Sequence, residues 1–473
     1  MKTSLQLYDT RLRKKAFISA SNETEVRIYC CGPTVYRNAH VGNLRTFLLS
    51  DLVIRILHAR GVNTKLVQNI TDVGHMSEDV GDDLVQESSE DKVLAQAESE
   101  NRDPFAIARE YEQGYHQDLR SLNISVADNY PRASECIDLM QNLIEQLIEK
   151  GKAYQGGDGT VYFDAQTFST YGEISGNRLD QLKPGHRFDY HDDGAKKFHA
   201  DWALWKSAGG RTQMVWPSPW GIGFPGWHIE CSAMSLAFLD GHVDLHLGGM
   251  DLRFPHHENE RAQSNSVVEE EAVDNWVHGE HLLFEGRKMS KSTGNVVLVR
   301  DVAAKNLDPL SLRLCFLENR YRSQMDLTWE AIVAANTTIH RWREKMHSWE
   351  NDGELDEGAV AAETEIILSA VEDDLDTLKA IQRIRFLERE TTISPKTKHQ
   401  IFIRADLILG LDLDRRISRD LTLPPEAERL LEERQIARLS KDFHNSDLLR
   451  DRLLELGVVV KDTQTGQVWE ILD

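Results

Sequence analysis

Apolar and polar positions change period along the chain. Val26-Arg27-Ile28-Tyr29-Cys30 is a short run rich in β-branched and aromatic residues, which predicts a strand. A Gly32-Pro33 turn and His40-Val41-Gly42-Asn43 follow. Apolar residues then recur three and four apart over 44–59, which predicts a helix that Gly61 ends. Lys65-Leu66-Val67-Gln68-Asn69-Ile70 predicts the next strand. Strand, glycine-containing turn, helix and strand make a βαβ unit, so a parallel sheet and an α/β core are expected. Residues 77–105 are acidic and polar. Residues 106–150 predict helix, with Leu139, Leu143 and Leu147 on one face. The glycine-rich, aromatic stretch 150–225 reads as irregular and β structure. Val243-Asp244-Leu245-His246, before Gly248-Gly249, predicts the return of the sheet. Beyond 305 the pattern is mainly helical, punctuated by candidate linkers at 350–354 and around Pro424-Pro425.

Composition narrows the class. A chain of 473 residues exceeds one core, and about 100–200 residues per domain implies two to four domains. No run of about 18 apolar residues occurs, so no membrane span is expected. The first residues lack the apolar stretch of a signal peptide. Five cysteines at irregular spacing argue against a disulfide scaffold and fit a reducing, cytoplasmic setting. The net charge of −22 argues mildly against a nucleic-acid partner, although a local basic surface can bind phosphates on an acidic protein.

Two segments carry nucleotide chemistry. His40-Val41-Gly42-Asn43 sits where a strand turns into a helix, offering free N–H groups and a positive dipole end to an anion. Gly42 permits close approach, and His40 and Asn43 add donors; alone, such a turn is more often structural. Lys288-Met289-Ser290-Lys291-Ser292-Thr293-Gly294-Asn295 places two lysines three apart among hydroxyls, which suits a loop closing over a triphosphate. Together the two motifs resemble those of class I aminoacyl-tRNA synthetases, in the same order along the chain. That resemblance implies a Rossmann-like catalytic domain.

Cys31, Cys231, His256 and Glu260 are separated in sequence. His256 and Glu260 are four apart and share a helix face, and a Cys₂HisGlu set suits Zn²⁺. The residues alone leave open an inert buried cysteine and a solvated His-Glu cluster. Four segments add weight: Cys31-Gly32-Pro33-Thr34-Val35-Tyr36, Asn69-Ile70-Thr71-Asp72, Gly226-Trp227-His228-Ile229-Glu230-Cys231-Ser232-Ala233-Met234, and Phe254-Pro255-His256-His257-Glu258-Asn259-Glu260. They resemble cysteinyl-tRNA synthetase motifs, and the likeness spans nearly the whole chain. It implies zinc held by Cys31, Cys231, His256 and Glu260, with Cys30 pointing to the opposite face of its strand as a core residue. It further implies a cysteine pocket lined by Thr71, Trp227 and His246. ATP with Mg²⁺ is expected on His40, Gly42, Asn43, Gly248, Asp251, Lys288, Met289, Ser290, Lys291 and Ser292. His40, Asn43, Lys288 and Lys291 are the expected catalytic groups, Lys291 foremost.

The implied activity is ATP-dependent formation of cysteinyl-adenylate and transfer of cysteine to the 3′ end of tRNA(Cys), by a monomer with no separate editing domain. The expected layout is a catalytic domain over 1–305 with an insertion at about 110–225, a linker region at 306–345, a helical anticodon-stem bundle at 346–423 and an anticodon segment at 424–473. Tyr321-Arg322-Ser323-Gln324, Val371 to Thr377 and the segments from Glu432 to Thr463 carry the C-terminal part of the resemblance. A ligase that joins cysteine to a small amine is the rival reading; such enzymes resemble the catalytic half and lack most of the tail. Two departures stand near the expected pocket. Val73-Gly74-His75-Met76 replaces acidic residues and a lysine, and Leu247 stands where a further glycine is common.

Overall fold

The computed structural model describes residues 1–22, 24–76, 91–182, 195–289, 294–416, 425–440, 442–456, 458–463 and 466–471. By packing these fall into two units, Met1–Leu413 and Asp414–Asp473.

The first unit is built on a four-stranded parallel sheet. Its elements are β1 (Glu25–Cys30), α1 (Val41–Ala59), β2 (Asn63–Gln68), α2 (Trp227–Phe238), β3 (Val243–Gly249), α3 (Glu258–Val268) and β4 (Val273–Gly279). The strand order is β4-β3-β1-β2. The chain leaves β1 toward β2 on one side, while β3 lies on the other. The carboxyl ends of β1 and β3 therefore flank a topological switch point, where open α/β sheets bind ligands. Every residue of β3 is buried, as expected for a strand covered on both faces. Register sets His246 beside Tyr29 on one neighbour and Trp276 on the other.

The observed bounds differ from the pattern for local reasons. The helix α1 begins at Val41, three residues before its apolar period, because His40 caps it. His40 Nδ1 accepts the Asn43 N–H at 3.3 Å, and Asn43 Oδ1 accepts the His40 N–H at 3.2 Å. The strand β2 ends at Gln68, since Asn69 turns to accept the Gly32 N–H at 2.8 Å and to donate to Thr71 Oγ1 at 2.9 Å. The helix expected over 106–150 is two helices, Pro104–Ser121 and Ile137–Glu149. Asn123, at φ 50°, and Pro131 interrupt the period between them. Leu143 and Leu147 are buried in the second helix and Leu139 is partly covered. Ala153–Gln155, Val161–Phe163, Trp202–Ser207 and Gly223–Pro225 then form an antiparallel sheet.

Helices Leu310–Leu317, Trp329–Trp349, Glu357–Glu372, Thr377–Arg389 and Pro395–Leu409 complete this unit. The stretch 350–354 is an exposed connection between the second and third of them, and Asp374 and Leu375, both at positive φ, separate the third and fourth. One buried knot fixes α1 to these helices. The Asp51 carboxylate accepts from Arg313, from Arg55 Nε at 2.9 Å, and from the Ser125 N–H at 2.9 Å and hydroxyl at 2.7 Å. Arg313 also donates to the carbonyls of Leu409 at 2.6 Å, Leu122 at 3.0 Å and Asn123 at 2.9 Å, so it caps the carboxyl end of Pro395–Leu409.

The second unit has helices Pro425–Leu439 and Phe443–Glu455 and a hairpin of Val458–Thr463 with Gly466–Ile471, around a small core that includes Ala427, Leu430, Leu453 and Val458. The helical reading of the C-terminal third did not include this hairpin. Pro424 lies outside the described residues. No described helix is long and apolar enough to cross a membrane, and all five cysteines are unpaired.

Candidate nucleotide and metal site at the strand ends

The strand β1 delivers Cys31 to the switch point. Its neighbour Cys30 points the other way, against Gln68 Nε2 at 3.5 Å, and burial pushes its thiol up to about 12. Gly32 admits no side chain, since a Cβ there would overlap the Asn69 carbonyl. The turn is thereby pressed against β2, and the Thr71 N–H donates to the Pro33 carbonyl at 3.1 Å.

Cys31 Sγ lies 3.8 Å from Cys231 Sγ on α2 and 3.7 Å from Glu260 Oε1 on α3. His256, in the turn leading into α3, places Nε2 3.0 Å from the same Glu260 oxygen. Tetrahedral zinc with Zn–S of about 2.3 Å and Zn–N or Zn–O of about 2.0–2.1 Å requires edges of about 3.8 Å for S···S, 3.5 Å for S···O and 3.3 Å for N···O. The three observed edges fit that frame within about 0.3 Å, so these residues suit a divalent metal. All four side chains are buried, and their ligand atoms lie within 4.8 Å of one another. A second grouping, Cys31, His246, His257 and Glu260, shares two members but has one sulfur instead of two.

Electrostatics agree with a cation site. Burial opposes charge on every member. Even so, Cys31 and His256 bring the Cys231 thiol down to about 6, and Glu260 and Cys231 raise His256 to about 10. His246 and His256 outweigh burial at Glu260 and hold its carboxyl well below the usual range. Beyond the four, His228 Nδ1 meets His256 Nδ1 at 2.9 Å and His246 Nε2 meets Glu260 Oε2 at 2.9 Å. Such outer partners fix tautomer and orientation of metal ligands.

Thr71, Trp227 and His246 stand around this cluster. The Trp227 ring is stacked between His75 (4.1 Å, 7°) and His256 (4.2 Å, 30°). His246 stacks on Trp276 at 4.5 Å. Thr71 Oγ1 donates to Glu230 Oε2 at 3.0 Å. His246 Nδ1 and Glu230 Oε1 are buried without a hydrogen-bond partner among the described residues.

Both departures acquire a place. His75 supports Trp227, and its Nε2 lies 2.7 Å from Lys92 Nζ. Asp91 bridges Met76 and accepts the Gly74 N–H at 2.8 Å, so Asp91-Lys92 place an acidic residue and a lysine beside Gly74-His75-Met76. Leu247 is fully buried in β3, and its carbonyl accepts the Cys31 N–H at 3.1 Å. Sequence reasoning passed over His75, Lys92 and His228 as site residues; the Asp-Lys pair after the acidic stretch was the available signal.

The nucleotide motifs also meet. Burial and neighbouring Arg37 lower His40 to about 4, so its ring is neutral at pH 7. With Nδ1 accepting from Asn43, Nε2 carries the proton and is a donor. A Cβ on Gly42 would lie 2.9 Å from Met289 Cε and 3.0 Å from the His40 ring, so the helix start and the lysine loop touch through Gly42. The Val41 N–H donates to the Val297 carbonyl at 3.0 Å, a second tie. Lys288 is exposed on the short strand Arg287–Lys288, and Asn295 Nδ2 donates to its carbonyl at 3.1 Å. Ser290, Lys291 and Ser292 lie outside the described residues. Gly248 faces the His257 ring, 2.6 Å from a Cβ placed there, and Gly249 faces exposed Asp251, so both stay bare at the end of β3.

Fold and motifs together define a class I aminoacyl-tRNA synthetase: residues 17–337 match the tRNA synthetases class I (C) catalytic domain. The fold is also that of methionyl-tRNA synthetase from Mycobacterium tuberculosis, solved with methionyl-adenylate, at TM-score 0.54 and 15% identity over 82% of this chain and 90% of that one. Residues 420–469 match the cysteinyl-tRNA ligase anticodon binding domain. Cysteine–tRNA ligase from Thermus thermophilus is 39% identical, and that from Treponema denticola 34%, each over 99% of this chain and at least 99% of the relative. The chain belongs to the cysteine–tRNA ligase family.

Proposed function

We propose how this chain carries out the family's reaction, the ATP-dependent charging of tRNA with cysteine. Cys31, Cys231, His256 and Glu260 hold a zinc ion at the base of the amino-acid pocket, and the observation that carries this is the tetrahedral fit of their edges. A bound zinc ion supplies a Lewis acid that favours the substrate thiolate over a serine hydroxyl of far higher pKa. Thr71, Trp227 and His246 surround the cysteine, and the unpartnered His246 Nδ1 and Glu230 Oε1 are polar groups for it or for water.

Mg-ATP lies over the start of α1. The His40 Nε2–H, the Asn43 side-chain amide and the Gly42 N–H face its phosphates. Gly248 and Asp251 line the nucleotide from the end of β3. Lys288 and Lys291, with Met289, Ser290 and Ser292 of the same motif, serve the triphosphate. A cysteine carboxylate oxygen attacks the α-phosphorus, and pyrophosphate leaves with the electron pair of the broken P–O bond. Donors aimed at the charge developing there supply the rate. A terminal ribose hydroxyl of the tRNA then attacks the adenylate carbonyl, and AMP leaves. The helices beyond 346 and the terminal unit hold the anticodon arm, and the enzyme acts as a cytoplasmic monomer; a solution mass of two chains would refute the last point.

The test is charging of a total tRNA pool with labelled cysteine and ATP. Labelling of one cysteine-accepting species is the expected result. Cysteine-dependent pyrophosphate exchange without charging would overturn the tRNA acceptor and move the reading to a small-amine acceptor.

A further inference from the structure

The buried histidines behind Cys31 have no part in the scheme above, yet they form a continuous line. His257 Nε2 lies 3.3 Å from Cys31 Sγ. His257 Nδ1 lies 2.8 Å from His278 Nε2 on β4, and His278 Nδ1 lies 2.8 Å from Thr10 Oγ1, just beyond the N-terminal strand Lys2–Asp9. Thr10 is itself held by its N–H to the Trp276 carbonyl at 2.8 Å.

We propose that Thr10, His278 and His257 are positioning residues forming a one-way hydrogen-bond chain that donates into the Cys31 thiolate and tunes the metal centre. The proposal rests on the reading of Cys31 as a ligand.

Polarity follows from proton counting. A neutral imidazole has one N–H and one lone pair, so the chain runs in a single direction throughout. His257 Nδ1 and His278 Nε2 face each other at 2.8 Å, where only one proton fits, so one ring donates to the other. In the direction toward sulfur, the Thr10 hydroxyl donates to His278 Nδ1, His278 Nε2–H donates to His257 Nδ1, and His257 Nε2–H donates to Cys31. Every proton then has an acceptor. In the reverse direction the Thr10 hydroxyl proton has no other acceptor among the described residues, and a nitrogen lone pair faces a thiolate. The arrangement also completes a pattern: Glu260 meets His246, His256 meets His228, and Cys31 meets His257. A hydrogen bond into a thiolate withdraws charge from sulfur and leaves it a weaker donor to the metal, while fixing its direction.

The test uses the full-length protein in zinc- and cobalt-loaded forms. Zinc affinity is read by competition with a chromophoric chelator, and sulfur donation by the thiolate-to-cobalt absorption band. In His257→Phe, zinc affinity should fall about 10–100-fold and the band should move to lower energy. Thr10→Val, three hydrogen bonds from the metal, should move the band the same way by less. His257→Gln, which keeps an N–H donor toward Cys31, should restore much of the wild-type position. Stoichiometric metal with an unmoved band in both Thr10→Val and His257→Phe would overturn the chain and leave the zinc reading intact. Loss of all metal in His257→Phe with no effect of Thr10→Val would make His257 a ligand, which also overturns it. A wild-type protein without stoichiometric metal would overturn the zinc reading and this inference together.

Discussion

Asp51→Ala should cost about 3–5 kcal/mol of stability, the range for leaving one member of a buried ion pair unpaired. Asp51 and Arg313 are both fully buried. Removing the carboxylate strands the Arg313 charge against three carbonyls that satisfy its hydrogen bonds but not its charge. The Ser125 N–H and hydroxyl lose their acceptor as well. Arg55 is partly exposed, so water replaces its lost bond and adds little. Replacing both partners by apolar residues, Asp51→Leu with Arg313→Met, should cost less than the two single losses summed, with a coupling of about 0.5–3 kcal/mol. Urea unfolding followed by tryptophan fluorescence measures each corner of the cycle. The pH dependence has a definite sign. Burial raises the Asp51 carboxyl, but Arg313 and Arg55 outweigh it and hold it below its ordinary value. A depressed carboxyl contributes stability above the unfolded pKa of about 4 and loses it as pH falls through the folded value. The gap between wild type and Asp51→Ala should therefore narrow below about pH 4. An Asp51→Ala loss under about 1 kcal/mol, far from the range for a buried pair, or strict additivity in the cycle, would refute the reasoning.

Three further outcomes concern the site. Cys231→Ala removes one of two sulfurs and should abolish stoichiometric zinc in metal analysis of unchelated protein; retention of one zinc per chain would remove Cys231 from the ligand set. His40→Asn keeps a side-chain acceptor suited to capping α1 but loses the Nε2 donor. It should leave stability within about 1 kcal/mol while adenylate formation, read by pyrophosphate exchange, falls on the order of 10²–10³-fold. Gly42→Ala places a methyl 2.9 Å from Met289 Cε. Overpacking of about 1–2 kcal/mol there should raise KM for ATP roughly tenfold, with Met289→Ala recovering part of it; simple addition of the two effects would show that the contact is unimportant.

What could be read from the chain beforehand was what depends on neighbours in sequence. The run 26–30, the Gly32-Pro33 turn and the period of 44–59 suffice for a βαβ start, since strand and helix patterns are local. Period-two alternation separated Cys31 from Cys30, and the four-residue spacing brought His256 to Glu260 on one turn. Three kinds of feature were hidden. Helix ends set by reciprocal capping were misplaced, because histidine is not a usual cap and the apolar period starts later than the helix. The helix break between Ser121 and Ile137 was missed because apolar residues such as Ile124 and Val126 continue into it, although Pro131 was a visible signal. Contacts that cross the stretch 77–90, such as His75 with Lys92, join positions that no local window contains.

The surroundings of the deepest part of the site were hidden for the last of these reasons, taken further. His246 was named beforehand through the family resemblance alone, since Val243-Asp244-Leu245-His246-Leu247 shows only a strand's alternation. Its environment is written by register: parallel pairing sets it beside Tyr29 of β1 and Trp276 of β4, and α3 then supplies Glu260 to its Nε2. The same register puts His278 two residues beyond Trp276, on the same face of β4, where it reaches His257. A single-residue slip of β4 would turn Trp276 and His278 to the opposite face and break both contacts at once. The sheet therefore does more than hold helices apart. Its pairing selects which histidines face the cluster, and the chemistry of the site depends on strand register as closely as on the identity of the ligands.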